Sequence, residues 1–318
     1  MSRPLRSWLA PRFERFVALK QAAGSSYLSQ VRLLRKFDRY LIEQAPEAPL
    51  KREALVAFLA TLDRLSPRGR DNVVDVVWQA LAFAQRHGAE IDSLPPRPPR
   101  PAPGYRLREP RLVFDDELRA IVAAARRLGP PHGSRAATYA TLYGLLFVTG
   151  MRIGEALGLD IGDIDLNGGL VTICRGKFGK SRVLPVRDST VMALERFLSD
   201  PRRPSGRAAT DAVFVSVRGR RLTHAPALQT LWALSMTAGL SEPMPRLHDL
   251  RHSFAVLWVV EQYHCNRDVN ALLPVLATYL GHVSVDNTRT CLRANGLLLH
   301  EACRRFALGT ARLDEVLS

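Results

Sequence analysis

Residues 93 to 110 read SLPPRPPRPAPGYRLREP, with seven prolines and four arginines in eighteen positions and no apolar period. Proline fixes φ and removes a backbone donor, so such a segment fits neither a helix interior nor the middle of a sheet. It predicts an extended, solvated linker between two separately folded modules. A length of 318 residues agrees with about two domains. The expected division is a first module over 1–92, a Pro/Arg-rich linker over 93–111, a second module over 112–308 and a C-terminal tail over 309–318.

Before the linker the apolar period is helical. One helix opens through Phe13, Phe16, Val17, Leu19 and Lys20, and Ser25 and Ser26 are placed to cap a second with Tyr27, Val31, Leu34, Phe37 and Leu41. Glu53 to Leu62 and the stretch after Ser66-Pro67 predict two more, completing a four-helix bundle with Arg and Lys outside. After the linker, helices are expected at about 114–128 and 135–149. The period then changes: 170–174 and 182–186 read as strands joined by the polar segment RGKFGKS, with Val213-Phe214-Val215 as a third strand. From about 224 to 307 the pattern is helical again. The fold class is mainly α, a helical bundle followed by a mixed but mostly α module with one small β element.

Charge narrows the partners. The chain has 45 Lys plus Arg against 30 Asp plus Glu, a formal net charge of +15. Residues 1–110 carry 19 bases and 11 acids and the remainder 26 and 19, so the excess is +8 and +7. Forty of the bases are Arg, which coding bias explains in part, but bias does not explain why acids fail to balance bases. An excess of this size in both modules points to a polyanion. No stretch approaches eighteen consecutive apolar residues, so no membrane helix is expected. The opening MSRPLRSWLAPRFERF has no secretory apolar run, and the four cysteines are widely spaced, as in a cytoplasmic protein with reduced thiols. No Gly-rich phosphate loop and no paired C-x-x-C occurs, so neither a nucleotide cofactor nor structural zinc is expected.

Four segments of the second module bear chemistry: TGMRIGEAL (149–157), GKFGKSRVLPV (176–186), HDLRHSFAV (248–256) and LGHVSVDNTRTCL (280–292). Taken singly, each has a plain reading. Arg152 with Glu155 fits a surface ion pair, and Lys177 with Lys180 fits a solvated hairpin turn. His248 and His252 share a helix face like a zinc pair, but Asp249 replaces a metalloprotease Glu and no third ligand follows at a recognised distance. His282 fits a helix-capping histidine.

In combination and in this order, the segments resemble the tyrosine recombinase (phage integrase) family, from about residue 112 to 300, with the first module similar to that family's core-binding domain and the second to its catalytic domain. The resemblance implies that Arg152 and Arg251 clamp a scissile phosphate, which suits permanently charged, fork-shaped donors when no metal neutralises the oxygens. It implies Lys177 as the acid protonating the leaving 5′ oxygen, with Lys180 and Arg182 as DNA-backbone contacts. Arginine is too weak an acid for that step, and two of the five lysines fall in this hairpin. His248 would move the proton of the attacking hydroxyl, and His282 would donate a hydrogen bond to the phosphate. Glu155 is expected to be structural, holding the helix of Arg152.

The family's nucleophile is a tyrosine nine residues after the Leu-Gly-His histidine, and here that position is Cys291. A cysteine side chain is shorter by most of an aromatic ring, so its sulfur is expected to fall short of the phosphate and cleavage to be blocked. The interval from Arg251 to His282 is also longer than the family pattern, with EQYHCNRDVNALLPV holding the extra length. The implied partner is a double-stranded recombination site, closed upon by both modules as a clamp, with self-association into a tetrameric synapse. Arg32, Arg35 and Arg39, at helical spacing, are candidate DNA contacts, and a solvated helix face explains each of them equally well. The function expected is site-specific recombination without metal or ATP. Two alternatives stand beside it: a non-cleaving DNA-binding factor derived from a recombinase, and a relaxing topoisomerase, which the bundle and short length disfavour.

Overall fold

The computed structural model describes residues 4–25, 27–92, 94, 96–98, 110–130, 133–174, 181–204, 211–282, 284–292 and 298, with the backbone alone of 287, 290 and 291. The chain divides into two compact units, Met1–Arg108 and Glu109–Ser318.

In the first unit α1 (Ala10–Ala22), α2 (Leu28–Gln44), α3 (Arg52–Thr61) and α4 (Pro67–Arg86) enclose one core. Phe13, Phe16, Phe37, Phe58 and Phe83 fill its centre. Ser66 caps α4 as its sequence suggests, accepting from the Gly69 N–H at 3.2 Å, with Pro67 in the first turn. The N-cap residue of α2 is Tyr27 rather than the expected Ser25 or Ser26, of which Ser26 lies outside the described residues. Tyr27 stands at the N-cap with a left-handed φ of 50°, its buried ring edge-on to Phe16. Asp38, buried on α2, accepts from the backbone N–H groups of Arg6 and Ser7, both at 3.0 Å, and so fastens the segment before α1. The described start of the proline-rich segment lies on this unit. Leu94 packs against the core, and Arg97 pairs with Asp71 at 2.9 Å and Asp75 at 3.0 Å, two acids one turn apart on α4.

The second unit is built on α5 (Asp115–Arg126), α6 (Arg135–Thr149), α7 (Ile153–Gly158), α8 (Asp188–Leu198), α9 (His224–Thr237), α10 (Leu247–His264), α11 (Val269–Leu280) and α12 (Val285–Leu292). Helix α6 runs through the core, burying Tyr139, Leu142, Tyr143, Leu145, Leu146 and Phe147 against its neighbours. The small sheet has the order β1 (Ile164–Asp165), β2 (Leu170–Ile173), β3 (Arg182–Pro185), all antiparallel, with Ile173 opposite Arg182 and Leu170 opposite Pro185. The two long strands are those expected. The third strand is Ile164–Asp165, whereas in the 213–215 run only Val215 makes an isolated bridge, to Arg221, with another from neighbouring Ala212 to Asp160, and Val213, Phe214 and Val215 are all buried. An apolar β-branched run reads alike as strand or as core filler. The extra length before His282 finishes α10, turns through Asn266 at φ 54° and opens α11, whose N-cap Asp268 accepts from Asn270 N–H at 2.9 Å. Helices α10 and α11 bury a second small core of Ala255, Val259, Val269, Leu273, Leu276 and Leu280.

Candidate active site

The site is organised by the C-terminus of α11. The last carbonyls of a helix lack an intrahelical donor and carry the negative end of its dipole. Here three guanidinium groups take them. Arg182 Nε donates to the Tyr279 carbonyl at 2.9 Å, Arg251 Nη2 to that of Leu280 at 2.8 Å, and Arg152 Nη2 to that of Gly281 at 3.0 Å. The three arginines come from β3, α10 and the residue before α7, so one helix end gathers distant parts of the chain. Gly281 caps α11 at φ 68°, and a Cβ there would stand 2.7 Å from Arg182 Nη1. Gly150 plays the same part at the end of α6: its φ is 60°, its carbonyl accepts from Arg251 Nη1 at 2.7 Å, and a Cβ would meet the Phe254 ring at 2.4 Å. The glycines of Thr-Gly and Leu-Gly-His are therefore both conformational and steric requirements.

Glu155 sits between two of these cations. Its Oε1 accepts from Arg152 Nη1 at 2.8 Å and from Arg182 Nη1 at 3.0 Å, and its Oε2 accepts from Arg182 Nη2 at 2.9 Å and the Arg152 backbone N–H at 2.8 Å. Burial opposes ionisation of this carboxyl, but the bonds from Arg182 and Arg152 outweigh it and hold the pKa at about 2. The same device recurs at the start of α10, where buried Asp249 accepts from the Arg246 backbone N–H at 2.8 Å and pairs with its guanidinium at 2.9 Å. Glu155 thus has the structural part expected of it. Arg182 does not lie free for a DNA backbone: it is paired with Glu155 and tied to α11.

Arg251 is 2% exposed, and its Nη2 also meets His282 Nε2 at 2.8 Å. Guanidinium can only donate, so Nε2 is the acceptor and the proton of the neutral ring is on Nδ1. Nδ1 lies 2.7 Å from the hydroxyl of Thr288, a fully buried residue of α12. Both ring nitrogens are engaged within the protein, so the donation from His282 to a phosphate that the sequence suggests is not available in this arrangement. Burial, then Arg251 and Arg152, press its pKa down to about 4. His248, one turn before Arg251, keeps an accessible edge, yet surrounding protein and then Arg251 lower its pKa too. It is neutral near pH 7 and able to accept a proton. His252 is buried, with its pKa lowered by burial.

The fold therefore brings Arg152, His248, Arg251 and His282 together, and places the backbone of Cys291 on α12, the next helix after His282. Lys177 and Lys180, between β2 and β3, lie outside the described residues, as do residues 293–297 and 299–318. Arg32 and Arg39 are exposed on α2 of the first unit and Arg35 is half-buried beside them. Among the described residues no three His, Cys, Asp or Glu side chains group as a metal ion would need, and no helix is long and apolar enough to cross a membrane. Sequence reasoning missed the carbonyls of residues 150 and 279–281, the pairing of Arg182 and the part of Thr288. All but Tyr279, one residue before the fourth motif, lie inside the four motifs, and only spatial proximity distinguishes them. Three guanidinium groups against one carboxylate leave positive charge for an anion, and a neutral histidine beside them can take a proton.

A family model described as the phage integrase family matches residues 113–295. The chain is similar to the integrase/recombinase y4rE of Sinorhizobium fredii, 34% identical over 306 residues, 95% of this chain and 96% of that protein. It is 32% identical over 282 residues to tyrosine recombinase XerD of Mycobacterium tuberculosis, 84% of this chain and 86% of the other. Among solved structures, the XerH site-specific recombinase bound to its difH substrate before cleavage superposes with a TM-score of 0.64 at 20% identity, over 95% of this chain and 99% of that one.

Proposed function

Because the chain belongs to the phage integrase family, the tyrosine recombinases, we propose that it binds a double-stranded recombination site and holds a scissile phosphate between Arg152 and Arg251, with position 291 as the place of the attacking group. The observation that carries this reading is the gathering of Arg152, Arg182 and Arg251 on the end of α11, immediately before the helix that bears position 291. Arg152, whose side chain is 26% exposed, presents the accessible guanidinium, and Arg251 braces the site from within. In the full reaction a tyrosyl oxygen at position 291 bonds to phosphorus as the bond to the 5′ oxygen breaks. Neutral His248 receives the proton of the attacking hydroxyl, and Lys177 supplies one to the leaving oxygen. Religation reverses these transfers, so no energy source is consumed.

Cys291 interrupts that sequence. Its shorter side chain, attached at the same helical position, falls short of the phosphate, and the chain binds its site without cutting it. The presence of cysteine at position 291 also favours a second reading, a non-cleaving DNA-binding partner of active copies within a tetrameric synapse. The test is a nicked suicide duplex carrying the cognate site, incubated with this protein and with Cys291→Tyr. A covalent 3′ adduct is expected with Tyr alone, and it is expected to disappear in Cys291→Tyr when Arg152→Ala or Arg251→Ala is added. An adduct with both proteins would overturn the block at Cys291. None with either, despite tight specific binding, would favour the non-cleaving factor.

A further inference from the structure

Thr288 has no part in the reaction as described, yet it is one of the few polar side chains of the second unit with no solvent exposure. Its hydroxyl stands 2.7 Å from His282 Nδ1, while the opposite ring nitrogen meets Arg251 Nη2 at 2.8 Å. The contact has a forced direction. Arg251 always donates, so Nε2 accepts, Nδ1 carries the proton, and the Thr288 oxygen receives it. Without that oxygen the Nδ1 proton would be an unsatisfied buried donor, and the ring would turn to find another partner. Turning removes the acceptor from Arg251 Nη2, whose other partner is the Leu280 carbonyl.

We propose that Thr288 is a positioning residue for the phosphate clamp: through His282 it fixes the orientation of the Arg251 guanidinium and makes that orientation depend on the docking of α12. Thr288 lies three residues before position 291 on this eight-residue helix. The three-member chain of Thr288, His282 and Arg251 therefore links the helix carrying the attacking group to the arginine that braces the phosphate. The clamp is set when the helix is seated and loosened when the helix moves away. The inference rests on the reading of the site as a phosphate clamp, but the placement of Thr288 is measurable in the protein without any reaction.

The test is nitrogen-15 NMR of the histidine rings in the full chain, with the resonances of His282 assigned among the eight histidines by their loss in His282→Gln. In the native protein His282 is expected as the Nδ1-protonated tautomer with a slowly exchanging Nδ1 proton. Thr288→Ser is expected to keep both features, and Thr288→Val, which keeps the shape and removes the oxygen, to lose the slow exchange and populate both tautomers. In parallel, adduct formation on the nicked duplex is compared in Cys291→Tyr with and without each substitution. Thr288→Val is expected to slow it about tenfold or more with duplex affinity changed less than about twofold, and Thr288→Ser to restore it. A slowly exchanging Nδ1 proton retained in Thr288→Val, or an unchanged adduct rate, would overturn the proposal. If Cys291→Tyr forms no adduct at all, the recombinase reading is what fails, and the NMR comparison alone still decides whether Thr288 positions His282.

Discussion

Glu155 is 6% exposed at its side chain and lies between two guanidinium groups, so its contribution is that of a buried, fully bonded charge. Removing one member of such a set costs about 3 kcal/mol because the remaining charges are left uncompensated. Glu155→Gln is expected to lower unfolding stability by about that amount in a urea titration, and a change near zero would show that Arg152 and Arg182 find other partners. The histidines set a different pH window. His282 is held at about 4 against an ordinary 6.5, so the unfolded chain takes up this proton first as pH falls. Stability is therefore complete above about pH 6.5 and declines toward pH 4, with His248 and His252 adding in the same direction, by up to about 1.4 kcal/mol per pH unit for each proton. Glu155, held at about 2, loses its contribution only as pH falls below about 4.5. Urea midpoints measured between about pH 7 and pH 4 should fall less steeply in His282→Gln than in the native chain. Arg152, His248, Arg251 and His282 are legible as candidate site residues because their spacing repeats a recognisable order. The internal bonds of His282 were not legible, since its partner nitrogen and hydroxyl come from other helices.

Among elements, the ends matter more than the middles. Helices α6 and α11 both stop at a glycine in the left-handed region, and both expose carbonyls that arginines take. Gly150→Ala would combine an unfavourable φ with a Cβ 2.4 Å from Phe254 and 3.0 Å from Leu280. It is expected to destabilise the second unit by about 2–4 kcal/mol in chemical unfolding, and a change under about 0.5 kcal/mol would mean that α10 moves aside freely. Periodicity located α3, α4, α5, α6 and the hairpin strands well because each buries one continuous face or alternates. It failed where tertiary packing chose the conformation, at Tyr27 and at Val213 to Val215, and it carries no signal for the pairing of Arg97 with acids 22 and 26 residues away on α4.

At the scale of the whole molecule the charge of +15 is shared by residues 1–110 and by the remainder, so affinity for duplex DNA is expected to be largely electrostatic. If about six phosphates are neutralised, the logarithm of the affinity falls with the logarithm of salt concentration at a slope of about −5. Fluorescence anisotropy over a salt series measures that slope, and a slope near zero would remove phosphate contacts as the source of binding. Cys291→Tyr is expected to leave it unchanged, because position 291 adds no charge.

The sequence by itself determined the two-module plan, the excess of positive charge in both parts and the membership of the chemical motifs, because proline density, net charge and ordered spacing are properties of the chain in one dimension. It also exposed two departures from the family pattern, cysteine where the family has tyrosine and a longer interval from Arg251 to His282. Only the tertiary structure decided how the arginines are held. Spacing along the chain cannot rank the possible neighbours of an arginine, but a helix end offers a few unpaired carbonyls at a fixed place, and Arg152, Arg182 and Arg251 converge on those of α11. The same convergence ties Arg182 to Glu155 and to α11, and it accompanies a Thr288 hydroxyl within reach of His282. Hydrogen bonds between distant segments depend on geometry that no local pattern encodes.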